Sequence, residues 1–80
     1  MVRPMTHLAP EALRAARAIL KWSTADLARE SGVAPMTINA IENGRPARAG
    51  TASRLVETFA AHGVEVLGEP TPGARRIPRE

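Results

Sequence analysis

Apolar residues recur at helical spacing in four separate stretches of the chain. Leu13, Ala16 and Leu20 fall at i, i+3 and i+7, a period that lines one face of a helix, while Glu11, Arg14, Ala15, Ile19 and Lys21 fall outside that stripe. Pro10 followed by Glu11 opens the stretch well, because proline has no N–H to leave unpaired and an acidic side chain suits the positive end of a helix. The pattern predicts a helix from Pro10 to Trp22. Ser23, three residues before Asp26, has the spacing of a capping box and opens a second helix, Thr24 to Ser31, which Gly32 ends. Pro35 opens a third helix that carries Ile38 and Ile41 on one face and stops at Asn43 and Gly44. Leu55 and Phe59, at i and i+4, mark a fourth from about Thr51 to His62, closed by Gly63. After Gly63 the period changes to the alternation of VEVL, followed by GEPTPG and ARRI, which reads as a strand. Beyond Gly68 the chain is either its hairpin partner or a disordered tail.

Composition limits what these elements can build. Eighty residues with 44% apolar content, one Phe, one Trp and no Tyr support a single small domain. We divide the chain into an N-terminal segment (1–9), a helical domain (10–62) and a C-terminal strand or tail (63–80). With no cysteine, a disulfide framework, a thiolate nucleophile and a cysteine-rich zinc site are excluded. No apolar run approaches the ~20 residues that cross a bilayer, and no secretory signal is visible, so a cytoplasmic protein without a membrane partner is expected. Enzymatic chemistry finds little support. His7 and His62 fall in different segments, and there is no G-x-S-x-G, H-E-x-x-H or Gly-rich phosphate loop. No catalytic residue, metal or cofactor is expected.

The stretch from Thr24 to Asn43 is the most informative. Two helices crossing at a steep angle through a short turn need a small side chain at the crossing, supplied by Ala28, and a residue tolerant of positive φ, supplied by Gly32. Leu27, Val33, Ile38 and Ile41 then fill the angle between them. In these residues the sequence resembles the Xre or Cro-like helix-turn-helix regulators, which include phage repressors and controller proteins. The pieces that carry the resemblance are W-S-x-x-D-L-A from Trp22 to Ala28, the Gly32–Val33 pair, and T-I-x-x-I-E-N-G from Thr37 to Gly44. It extends over residues 13–62 and implies an all-α, lambda-repressor-like domain of about four helices, with a short C-terminal β-strand or hairpin.

The resemblance also implies roles. Arg17 of the first helix and Glu42 at the end of the third occupy positions where the family carries a structural ion pair. The third helix would enter the major groove of double-stranded DNA. Ala34, Pro35, Met36, Asn39 and Ala40 would face the bases, with Asn39 able to bond adenine and Met36 and Ala40 offering apolar surface to a thymine methyl. Many relatives place Gln, Arg or Ser at these positions, so base readout here is lean and tilted toward A·T. Thr24, Thr37, Asn43, Arg45 and Arg48 would contact phosphates. Thr24 stands where relatives usually carry Gln and reaches less far.

Charge placement agrees with this picture. The chain has 11 Lys and Arg against 8 Asp and Glu, a net +3, and the segment from Asn43 to Arg54 holds Arg45, Arg48 and Arg54 with no acidic residue. A sequence-specific regulator is expected, acting as a repressor or autoregulator and binding a palindromic operator as a homodimer. Val64, Val66 and Leu67 are the candidate dimerisation residues, the strand pairing across a two-fold axis or packing on Ile19. The rival is an antitoxin or adaptor that uses the same fold to bind a toxin or another regulator.

Overall fold

The computed structural model describes residues 8–68 and 71–78; His7 lies outside them. Four helices, α1 (Pro10–Leu20), α2 (Thr24–Ser31), α3 (Pro35–Glu42) and α4 (Ala49–Ala61), precede two strands, β1 (Val64–Leu67) and β2 (Gly73–Arg76).

α1 ends two residues earlier than the periodicity predicts. Lys21 takes a left-handed conformation, φ 58°. Its N–H bonds the carbonyl of Ala18 and the N–H of Trp22 that of Arg17, the double closure usually built around glycine. A side chain in this region costs about 1 kcal/mol. Lys21→Gly is therefore expected to stabilise the domain by about 0.5–1 kcal/mol, raising the thermal midpoint by a few degrees. A lower midpoint in a circular-dichroism melt would count against it.

α2 begins and ends where its caps dictate. The Ser23 hydroxyl accepts from the Asp26 N–H at 3.0 Å, and the Asp26 carboxylate accepts from the Ser23 N–H at 2.9 Å. That backbone donor, followed by the Arg29 guanidinium at 3.0 Å, holds the Asp26 carboxyl below the usual carboxylate range. Gly32, φ 76°, makes the left-handed turn out of the helix. In the same turn the buried Ser31 hydroxyl accepts the Val33 N–H at 3.1 Å, so its burial leaves no polar atom unsatisfied.

α4 starts at Ala49 rather than Thr51. The extended Arg48 carbonyl accepts from the Ala52 N–H at 2.8 Å, which brings Ala49 and Gly50 into the helix although neither announces its start.

The core draws on all four helices and β1, with Ala74 of β2 packed against it. Leu13, Leu27, Ile38, Ile41, Leu55, Phe59 and Val64 are its largest fully buried side chains. On α1 the closed face is Ala12, Leu13 and Ala16, whereas Leu20, assigned to the stripe by spacing, is only half-buried. The phase rotates because α1 packs against both strands as well as α3, and Ala12 and Ala16 are small enough to let them approach.

The strands form an antiparallel hairpin with Val64 opposite Arg76, Glu65 opposite Arg75 and Val66 opposite Ala74. Glu65 and Arg75 pair across it at 2.7 Å, the position where opposite charges stabilise a ladder. Arg76 reaches α1 and donates to the Ile19 carbonyl at 3.1 Å. The chain past Gly68 therefore returns as a second strand on α1. No helix among the described residues is long and apolar enough to cross a membrane.

Candidate nucleic-acid interface

The outward face of α3 is set by its inward one. Ile38 and Ile41 are buried, so the helical period turns Met36, Asn39, Ala40 and Asn43 away from the core, with Pro35 and Thr37 on the two flanks. Met36 is 81% exposed. Pro35, Thr37, Asn39 and Asn43 are exposed and Ala40 is half-buried. Among the described residues the Asn39 amide has no hydrogen-bond partner. Ala34, read as base-facing, is the exposed residue that precedes the helix.

Two arginines of α1 hold the far end of this helix. Arg17 gives a fork of two bonds to Glu42, Nε to Oε2 at 2.7 Å and Nη2 to Oε1 at 2.9 Å, and its Nη1 donates to the Trp22 carbonyl at 3.0 Å. Arg14 adds a bond from Nη1 to the backbone carbonyl of Glu42 at 2.8 Å. Arg17 thus ties together the α1–α2 turn and the end of α3, leaving the side chains of the pair only 20% and 11% exposed. The planar guanidinium suits this task, because one rigid group satisfies both carboxylate oxygens.

The chain leaving α3 is equally constrained. Gly44, φ 101°, lets its own N–H bond Ile41 and the Arg45 N–H bond Ala40, both at 3.0 Å, so the helix stops sharply and Arg45 leaves at a fixed angle. In the short loop after it, Ala47 is buried while Arg45, Pro46 and Arg48 are exposed. A small apolar residue plugged into the core thus holds two guanidinium groups outward.

The result is a groove lined by Met36, Thr37, Ala40, Arg45, Arg48 and Thr51. It unites part of the base-facing set with both loop arginines. Among the described residues neither Arg45 nor Arg48 is held in an ion pair. Pro35 and Asn39 on the same helix, and Asn43 capping its end, lie outside the groove lining. Thr24 is the half-buried first residue of α2, also outside it. Arg54, third of the basic cluster, lies elsewhere: a Cβ built on Gly32 would meet its Nη1 at 3.9 Å, which places it over the α2–α3 turn.

The residues assigned to dimerisation occupy a different setting. Val64 and Val66 are buried in the chain's own core and Leu67 is half-buried, lining a hollow with Leu8 and Ala12. Val64 and Val66 face inward because alternate residues of β1 turn toward α1 and α4. Sequence reasoning also missed Arg14 and Ala47. Arg14 precedes Arg17 by three residues, a spacing that puts both on one helix side, whereas a lone Ala in a polar loop carries no signal.

Among curated proteins none matches the chain. A family model described as helix-turn-helix matches residues 13–65, well over half its length. That span runs from Leu13 of α1 into β1 and contains the Arg17–Glu42 fork, the α2–α3 turn and the arginine-bearing loop. The chain belongs to the Xre/Cro-like helix-turn-helix family of DNA-binding regulators.

Proposed function

We propose that this protein is a sequence-specific transcriptional regulator that lays α3 in the major groove of a palindromic operator, acts as a homodimer, and represses by occluding polymerase. The observation that carries the reading is the groove beside α3, where an exposed helix face meets two arginines without ion-pair partners among the described residues. Asn39 offers the donor and acceptor pair that recognises adenine, and Met36 and Ala40 face the bases beside it. Arg45, Arg48, Thr37, Asn43 and Thr24 supply phosphate contacts. α4 adds its N-terminal N–H groups, which have neither a side-chain cap nor an acidic residue in the first turn.

One such domain covers few base pairs. Two copies placing their α3 helices about one DNA turn apart, ~34 Å, double the site. With Val64 and Val66 buried, the described hairpin offers a partner the half-buried Leu67, its unpaired edge and Ile77, which is 40% exposed.

The test is a mobility-shift titration on DNA flanking the protein's own gene. Two chains per duplex are expected. Asn39→Ala should cost ~1–3 kcal/mol at one base pair and relax specificity there. Replacing Arg45 and Arg48 together with alanine should weaken all sequences alike and flatten the salt dependence by about 0.9 in log K per log salt for each phosphate no longer neutralised. The 81% exposure of Met36 also favours a second reading, an antitoxin or adaptor whose α3 binds protein. In that case both arginines are dispensable, and no duplex shifts even at low salt.

A further inference from the structure

α3 carries a single charged residue, Glu42, and that carboxylate is committed to Arg17. Its outward face holds Met36, Asn39, Ala40 and Asn43, with no Arg, Lys or Gln among them. The bidentate reading of guanine, which needs a guanidinium or ammonium over the base edge, has no donor on this helix. Arg45 and Arg48 stand beyond its end, at the rim of the groove that Met36 and Ala40 line.

Apolar surface facing the major groove can recognise one thing there, the 5-methyl group of a pyrimidine. We infer that Met36, with Ala40 beside it, reads pyrimidine 5-methyl groups, so that the protein separates thymine from uracil and accepts 5-methylcytosine in place of thymine. The inference rests on the DNA-binding reading above. Arg45 and Arg48 at the rim suit a polyanion, and a phosphate backbone held there would bring the apolar face against base edges. The exposure of Met36 in the free protein makes the burial of its thioether and of the methyl a gain on binding. Its unbranched side chain adapts to the methyl's position. One methyl removed from water corresponds to about fourfold in affinity.

The experiment uses the full chain, immobilised at low salt, to enrich duplexes from a random-sequence library. The enriched site is then resynthesised with deoxyuridine replacing thymidine one position at a time, and with a 5-methylcytosine·guanine or cytosine·guanine pair replacing a sensitive thymine·adenine pair. Affinities are read by fluorescence anisotropy for the wild type and Met36→Ala, a change at an exposed position that leaves the core intact. Uracil is expected to cost about fourfold at one or two positions of a half-site. That penalty should vanish in Met36→Ala, and 5-methylcytosine should bind more tightly than cytosine there.

Enrichment of a site whose affinity is unchanged by uracil at every position would overturn this inference and leave DNA binding standing. So would a uracil penalty that persists undiminished in Met36→Ala, since it would then come from duplex shape. Failure to enrich any duplex at low salt would overturn the DNA-binding reading itself.

Discussion

Phe59→Ala is expected to abolish cooperative folding. Phe59 is the chain's one phenylalanine, it is wholly buried, and its ring lies 6.0 Å from that of Trp22, stacked at 28°. Truncating a phenylalanine in such a site costs about 3–5 kcal/mol through forfeited transfer free energy and the cavity left behind. A single core in a domain of this size supplies only about 3–5 kcal/mol of net stability. The two figures match, so the variant should be largely unfolded at 25 °C. Trp22, the sole tryptophan, gives the readout. Its emission and the far-ultraviolet circular dichroism should both lack a sigmoidal thermal transition. A cooperative melt within about 10 °C of the wild type, which for a domain this size is roughly 1–2 kcal/mol, would show that the site collapses around the gap.

The second large effect is expected at the Arg17–Glu42 fork. Removing one member of a buried ion pair costs about 3–5 kcal/mol because the other stays buried and unpaired. Here some solvent reaches both groups, so about 2–4 kcal/mol is expected for Arg17→Ala or for Glu42→Ala. Arg17→Ala also strips the donor from the Trp22 carbonyl. Arg17→Lys is expected to recover little, since an ammonium cannot place two parallel bonds on the carboxylate and a third on that carbonyl. Replacing both residues with apolar ones, Arg17→Met with Glu42→Leu, should be far milder than either single change. Urea denaturation of the wild type, the two alanine variants and their double variant forms a double-mutant cycle. A coupling below about 0.5 kcal/mol would reduce the pair to an ordinary surface contact.

How well the sequence foretold each element depended on whether its boundary chemistry is carried by side chains. α2 was legible at both ends, because a Ser-to-Asp capping box and a left-handed glycine are residue-specific signals. The end of α1 was not, because a lysine holds the place glycine would normally take, and no rule of spacing reveals that. The start of α4 is built from backbone alone, with Ala49 and Gly50 offering neither cap nor period. Beyond Gly68 the prolines and glycines favour a tail over a strand by local pattern. The second strand pairs with β1 through its backbone, packs Ala74 on the core, and sets Arg75 on Glu65 and Arg76 on the Ile19 carbonyl, tertiary contacts that local pattern does not encode.

The candidate interface was legible mostly by subtraction. Once Ile38 and Ile41 are assigned inward, Met36 and Asn39 have nowhere to point but outward. The partnership of Arg17 and Glu42, 25 positions apart, came from family resemblance, not from any property of the two segments. The buried anchor at Ala47 was invisible for a simpler reason. Alanine is common in loops, and only the closed chain shows that this one fills a gap beneath two arginines.

The depth of the Arg17–Glu42 fork has a consequence for how the protein behaves as ionic strength changes. At physiological salt the screening length is about 8 Å in water, but partly buried charges feel it far less than exposed ones. Arg45 and Arg48 stand in solvent, whereas the fork is mostly enclosed. Raising the salt therefore weakens the contacts that α3 and its loop would make with a phosphate backbone, while the scaffold behind them keeps its shape. On the proposed function a released protein is a folded one, with α3 still held by Arg14 and Arg17 and ready to rebind without reordering.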